Sequence, residues 1–312
     1  MTTSTARATG LLVGYLADRA WADPARAHPV AGFGLAAGRL ERAVWADSRR
    51  RGLTYTGLCV GAAVLAAAAA ERAAPRRRRA ALVAATWSVL GGTSLTRAGT
   101  AVAEALGAGD LATARALLPT LCGRDPQQLD AGGLARAALE SVAENTADAV
   151  VAPLLWGTVA GMPGLVGYRA VNTLDAMVGH RSPRHANFGW ASARLDDVAN
   201  IVPARLTALL TAVLAPMVGG SPRRTLRVLV RDGARHPSPN AGQCEAAFAG
   251  ALGVTLGGPI SYGGRVEMRG PHGDGPAPTA DDLRRAVRLS SAVGAAAAVL
   301  AAALATALDG RP

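Results

Sequence analysis

Long apolar runs separated by short, charge-dense segments organise this chain. GLTYTGLCVGAAVLAAAAA (52–70) and ALVAATWSVLGGTSL (81–95) flank the basic stretch ERAAPRRRR. Three further runs are AVVAPLLWGTVAGMPGLVGY from 149, VANIVPARLTALLTAVLAPMVGG from 198, and AVRLSSAVGAAAAVLAAALATAL from 286 to 308. Each approaches the roughly 20 residues that a helix needs to cross a bilayer. Alanine sits near zero on insertion scales, so buried helices of a soluble bundle are the competing reading. Abundant small residues would let spanning helices approach closely. Arg49 to Arg51 and Arg76 to Arg79 bracket the first run on both sides, which the excess of basic residues on one membrane face cannot satisfy. At least one of the five runs is therefore expected to be buried without crossing. The pattern predicts an all-α, multi-pass helical membrane protein, one domain over 1–312, with polar loops and helix ends gathered into one site. The N-terminal ARATGLLVGYLADRAWA mimics a signal peptide, but Asp18 and Arg19 interrupt it, and a retained helix is expected.

Composition narrows the chemistry. The chain has 312 residues, 50% hydrophobic and 18% charged, with net charge +11; all 33 basic residues are arginine. Without lysine there is neither a Walker-type phosphate loop nor a Schiff base to pyridoxal phosphate. Phosphate must then be met by arginine forks, backbone N–H groups or a metal ion. Aromatic residues make up 4% and no nucleic-acid module is visible, so an anionic membrane surface explains the basic excess better than nucleic acid does. Cys59, Cys122 and Cys244 lie far apart and form no CxxC, which suggests neither a disulfide framework nor a zinc site.

The charges that remain are concentrated. RAALESVAENTAD sets Arg136, Glu140, Glu144 and Asp148 four apart, so a continuous helix would align three carboxylates on one stripe. Like charges at that spacing repel, and a cation is needed to make the stripe tolerable; Arg136 in part, or a bound metal, could supply it. Three other polar segments lie beside glycine and proline: DRAWADPARAHPVAGFG (18–34), YRAVNTLDAMVGHRSPRHANFGWASARLDDVAN (168–200) and HPSPNAGQCEAAFAGALGVTLGGPISYGG (236–264). Arginines matched with carboxylates and amides in the second suit a phosphate with a hard cation. The stretch from Tyr262 to Thr279 reads as a Gly/Pro-rich loop, either lid or connector, and Thr279 with Asp282 resembles a capping box opening the last helix. His28 and His236 precede prolines, and a turn role competes with ligand binding for each, as it does for Ser238 and Asn240.

ESVAENTADAVVAPLLW, VNTLDAMVGHRSPRHANFGWASARLDDVAN, and HPSPNAG followed by EAAFAGALGV closely resemble the cobalamin-biosynthesis CobD/CbiB family, the adenosylcobinamide-phosphate synthases. The resemblance runs from about Gly14 to about Arg288. Two departures are Gln243-Cys244, where the family pattern has Trp-Pro, and Trp21-Ala22-Asp23-Pro24 in place of a Gly-Asp-Pro turn. The resemblance implies a multi-pass enzyme of the cell membrane. It would join adenosylcobyric acid to (R)-1-amino-2-propanol or its O-phosphate at the expense of ATP, with Mg²⁺. Implied partners are those two substrates, membrane lipid and other membrane proteins of cobalamin assembly, with no nucleic acid. A membrane transporter or regulatory protein of similar architecture is the alternative.

That chemistry needs an activated carboxylate, because a carboxylate does not react with an amine in neutral water; ATP would make an acyl phosphate. Under the resemblance, Glu140, Glu144 and Asp148 are the metal-ligand candidates, and Glu144, Asp148, Asp175 and Asp197 the catalytic ones. Asp197 is favoured over Asp196 because it lies three before Asn200. Nucleotide or substrate phosphate would be met by Arg169, Asn145, Asn172, Arg181, Arg184, Asn200, His28, His180, His236 and Asn240. Trp190 and Tyr168 are candidate contacts for the corrinoid ring.

Overall fold

The computed structural model describes residues 3–24, 28–73, 77–180, 182–262 and 265–309. Helices dominate. In chain order they are α1 (Thr3–Trp21), α2 (Pro29–Val44), α3 (Arg49–Ala73), α4 (Arg78–Val89), α5 (Gly92–Gly107), α6 (Leu111–Leu117), α7 (Ala131–Thr146) and α8 (Ala152–Leu174). They continue as α9 (Trp190–Ala199), α10 (Ile201–Leu214), α11 (Pro222–Asp232) and α12 (Ala241–Leu252). An antiparallel hairpin of β1 (Leu256–Tyr262) and β2 (Arg265–His272) follows, and then the long α13 (Ala280–Asp309).

Two compact units share these elements. Unit 1 comprises 1–91, 148–200 and 297–312; unit 2 comprises 92–147 and 201–296. In unit 1, α1 packs on α4 through Gly10 and Gly14, four apart on one face; a Cβ at Gly14 would overlap Thr86, so the approach depends on glycine there. A core of Tyr55, Cys59, Leu174, Val178 and Phe188 lies under α3 and α8, with the Tyr55 and Phe188 rings 5.0 Å apart. Inside α8, Gly161 takes φ 63°, ψ −145° and Pro163 follows, so that helix bends where its backbone ladder is interrupted. In unit 2, Leu134, Leu139 and Val142 of α7 and Phe248 and Leu252 of α12 are buried. Thr279 and Asp282 bond each other's backbone N–H groups at 3.4 and 3.0 Å, the capping box that the sequence suggested for α13.

Among the described residues, four helical runs are long and apolar enough to cross a membrane: Arg49–Ala73, Ala131–Gly179, Ile201–Val218 and Ala280–Leu308. Their outer faces carry Leu65 and Val213 at 69% exposure and Val299 at 64%. Apolar side chains so exposed along long helices suit lipid rather than water, which favours the membrane reading over a soluble bundle. The run 81–95 is not among the four. The helix carrying it, α4, has 12 residues and breaks at Leu90, whose ψ of 148° is extended. The loop expected after Tyr262 is also replaced in part by the hairpin.

Two π-helical turns interrupt the central run, Ala147–Val151 and Asp175–Gly179. A π turn takes more residues than an α turn, so positions four apart across it no longer fall on one line. The continuous stripe from Glu140 to Asp148 is thereby broken: Glu140 and Glu144 lie in α7, and Asp148 lies in the first π turn.

Candidate functional site

Each unit gathers polar residues of its own. In unit 1, Tyr168 donates its hydroxyl to Asn200 Oδ1 at 2.9 Å and approaches Asp148 Oδ1 at 3.5 Å. One turn further, the Asn172 amide donates to Asp148 Oδ2 at 3.3 Å and to Asp196 Oδ1 at 3.5 Å, while its own oxygen accepts from Arg169 at 3.4 Å. Asn200 donates to Asp196 Oδ2 at 3.0 Å. Asn172 therefore ties together two carboxylates from distant parts of the sequence. Burial, together with the nearby charge of Asp175, pushes the Asp196 carboxyl up to about 7, against the opposing hydrogen bonds from Asn200 and Asn172. Asp175 opens the second π turn with its carboxylate lying over Gly179, where any Cβ would overlap it.

Several expected roles change on this geometry. Asp196, four before Asn200, is the residue turned into the group, whereas Asp197 pairs with Arg194 at 3.4 Å on the exposed side of α9. Tyr168 is 3% exposed and occupied by Asn200, so its ring is closed to a corrinoid; Trp190 is 41% exposed, with Arg49 5.5 Å over its ring. His28 caps α2, its Nδ1 accepting from Val30 N at 3.1 Å and its Nε2 lying 3.1 Å from Asp23. Arg184 pairs with Glu41 at 3.2 Å and lies 4.6 Å over the Trp45 ring, a clip between segments rather than a free phosphate ligand. His180 is exposed at the end of the second π turn, and Arg181 lies outside the described residues.

Unit 2 builds its group around α7, α12 and the hairpin. Asp130 caps α7 by accepting from Gly133 N at 2.7 Å. Two turns on, Glu140 is fully engaged: one oxygen pairs with Arg124 and the other accepts from Gly257 N at 2.6 Å. This is a pin between helix and hairpin, so the metal-ligand expectation for Glu140 does not hold, and its cationic partner is Arg124 rather than Arg136. Asn145 spends its amide on Ser141, at 2.9 Å to the carbonyl and 3.1 Å to the hydroxyl, and is not turned toward a ligand. Asn240 accepts from Arg205 at 3.1 Å, and Ser238 caps α12 through Asn240 N and Ala241 N, both at 3.3 Å, as turn chemistry predicts.

At the centre lies Glu245, fully buried on α12. Its Oε2 is 3.1 Å from His272 Nδ1, and its Oε1 is 3.8 Å from His236 Nε2 and 3.7 Å from Arg269, which is also 3.7 Å from Glu144. None of these contacts from His236, His272 and Arg269 has hydrogen-bonding alignment, whereas the Glu144 and Glu245 carboxyls share a hydrogen bond. Beyond that shared proton, both Glu245 oxygens and both ring nitrogens of the fully buried His272 lack a hydrogen-bond partner among the described residues. Burial and the nearby charge of Glu140 push the Glu245 carboxyl up to about 7, against a hydrogen bond with Glu144 and the charges of Arg269 and Arg124. Burial, with Arg269 and His272 alongside, drives His236 down to about 3, and burial lowers His272 too, so both rings are neutral at pH 7. Nearby, burial would raise the Asp232 carboxyl, but hydrogen bonds from Arg231 and Gly273 N outweigh it and hold it low.

Donor atoms of Glu144, His236 and Glu245 all lie within 4.8 Å of one another, close enough to suggest a metal site. The imidazole argues against one. His236 Nδ1 accepts a hydrogen bond from Ser238 N at 2.9 Å, so the single proton of the neutral ring is assigned to Nε2. The nitrogen facing the carboxylates therefore carries a hydrogen and has no lone pair for a metal.

Comparison with known proteins identifies the family. The family profile described as CobD/Cbib protein matches residues 11–290. The chain belongs to the CobD/CbiB family. Curated relatives named cobalamin biosynthesis protein CobD include one from Mycobacterium tuberculosis, 56% identical over 296 residues and covering 95% of each chain. Others come from Rhodobacter capsulatus, 44% identical over 84% of each chain, and Chromobacterium violaceum, 41% identical over 89% of this chain and 90% of that one. No solved structure matches at a significant level. This family member is thus a cobalamin-biosynthesis protein with, among the described residues, four helical runs suited to a membrane.

Four residues of the unit 2 group, Arg124, Glu245, Arg269 and His272, had no assigned role from sequence. Glu245 offered one signal: it is the only acid within the apolar run that forms α12, a placement that is costly unless the carboxylate is used. Arg269 and His272 come into place only through the hairpin, for which the Gly263-Gly264 pair between two short runs was the available sign.

Proposed function

We propose that this family member is the ATP-dependent amide-forming enzyme that joins adenosylcobyric acid to (R)-1-amino-2-propanol or its O-phosphate, giving adenosylcobinamide or its phosphate at the cell membrane. The observation that carries the reading is the pair of carboxylates, Asp148 and Asp196, tied by Asn172 with Arg169 behind them. Two carboxylates held together are what a hard cation carrying a nucleotide needs, and the donor set is all oxygen, which fits Mg²⁺. When bound, Mg²⁺-ATP supplies the phosphoryl group that turns an unreactive carboxylate into one an amine can attack.

The protein's own part is to hold and shield. Asp148 and Asp196 would hold the cation, and Asn172, bonded to both, positions them. Arg169 carries a buried Nε with no hydrogen-bond partner among the described residues, a donor that a phosphate reaching the guanidinium would satisfy. Tyr168 and Asn200, both nearly closed to solvent, orient Asp196 and limit water that would hydrolyse an activated carboxyl. The test is nucleotide consumption by detergent-solubilised protein, wild type against Asp148→Asn. Consumption that requires both the corrinoid acid and the amine, and falls at least about 100-fold in the variant, supports the reading. Folded wild-type protein that consumes ATP with neither form of the amine refutes it and favours a transporter or regulator.

A further inference from the structure

We propose that Glu144 and Glu245 form the subsite that receives the positively charged ammonium group of the amine substrate and takes a proton from it. The inference rests on the amide-forming reading above.

The geometry calls for a monocation. Two carboxylates face one guanidinium, Arg269, placed 3.7 Å from each, and two neutral imidazoles, while Glu140 is already neutralised by Arg124. The remainder is one negative charge. A divalent ion would overshoot it and would meet the N–H of His236 where it needs a lone pair; one ammonium balances it. An ammonium brings three N–H donors to the two buried oxygens of Glu245 and takes the place of the proton that Glu245 shares with Glu144, which is 32% exposed and so open to the approaching ligand. Groups facing Glu245 from the surrounding elements are Glu140 and Glu144 of α7, Arg269 and His272 of β2, and Arg124 and His236 of the loops. A site short of one positive charge holds a proton when it has no cation, in keeping with the high proton affinity of Glu245.

The step balances without an added reagent. An N–H bond of the ammonium breaks, its electron pair stays on nitrogen, and an O–H bond forms on Glu245. The resulting carboxylic acid can turn its proton toward His272 Nδ1, 3.1 Å away and neutral. The free amine then attacks the activated carboxyl: a C–N bond forms, the C–O bond to phosphate breaks, and the second proton lost from nitrogen leaves on the phosphate as hydrogen phosphate.

The test compares two nucleophiles on full-length solubilised protein with ATP and adenosylcobyric acid. 1-Amino-2-propanol is cationic at neutral pH and needs a base; hydroxylamine is a far weaker base, is uncharged there, and needs none. For Glu245→Gln, and for Glu144→Gln as a second, less buried variant, amide formation with the alkyl amine is expected to fall about 100-fold or more relative to hydroxamate formation. Equal loss of both products, or no loss of either, overturns the proposal. Bound transition metal that survives dialysis of the wild type and is lost in Glu245→Gln also overturns it. Binding is read separately: 1-amino-2-propanol raises the melting temperature of the wild type saturably, and propane-1,2-diol does not. Equal shifts with both ligands refute the subsite. The amine-specific shift with neither product formed refutes the amide-forming reading instead.

Discussion

Removing Arg124 tests how the unit 2 group is held. Glu140 is 1% exposed and Arg124 7%, so Arg124→Met leaves a buried carboxylate with only the Gly257 N–H to offset it. Breaking a buried pair from one side costs about 3–5 kcal/mol, because the survivor keeps its desolvation penalty. At about 2–4 °C per kcal/mol for a unit of this size, the melting midpoint should fall by roughly 6–20 °C. Replacing both residues, Arg124→Met with Glu140→Met, removes the stranded charge and should recover most of that loss, a coupling readable as a double-mutant cycle. Thermal unfolding in detergent, followed by circular dichroism, measures all four proteins. A single variant within about 1 kcal/mol of wild type, or a double variant worse than the sum of the singles, would refute the claim that this pair is a structural pin.

Asp196→Asn should disable nucleotide consumption, whereas Asp197→Asn, at an exposed pair with Arg194, should cost under about 1 kcal/mol and leave activity near wild type; steady-state assays of both decide. Asn172→Ala should raise the Mg²⁺ concentration for half-maximal activity about 10–100-fold with little change in fold, measured by metal titration. Glu245 holds its proton up to about pH 7 when folded but releases it near 4.5 when unfolded, so between those values the unfolded chain binds fewer protons. That contribution to stability is complete below pH 4.5 and lost as pH rises to 7. The stability of wild type relative to Glu245→Gln should accordingly fall across that interval, seen as melting temperatures that lie close at low pH and diverge as the wild type drops below the variant; His236, which contributes the opposite slope below pH 6.5, is common to both proteins.

The helical, membrane-suited architecture was legible because apolar runs of sufficient length report themselves without knowledge of their neighbours, and the Thr279–Asp282 capping box is local to four residues. Run 81–95 misled because hydropathy does not register the extended backbone at Leu90. The acidic stripe failed for a related reason: spacing was read on an uninterrupted α-helix, and nothing in ENTADAVV marks a π turn. For the Asp196–Asp197 pair, helical spacing allows Asn200 to meet either residue, at i+4 or i+3, and packing chose the former. His28 and Ser238 act within two or three residues of themselves, so turn chemistry described them well. Glu245 was visible as an acid in an apolar helix, but its neighbours Arg269 and His272 lie more than 20 residues away on a hairpin, and Arg124 more than 100.

The most direct test of the central claim is the mass of the corrinoid product. Purified wild-type protein supplied with ATP, Mg²⁺, adenosylcobyric acid and isotopically labelled 1-amino-2-propanol, or its phosphate, should yield a corrinoid heavier by the labelled amine less one water, and Asp148→Asn should yield none. Unchanged corrinoid after incubation of folded wild-type protein with both forms of the amine would contradict the account.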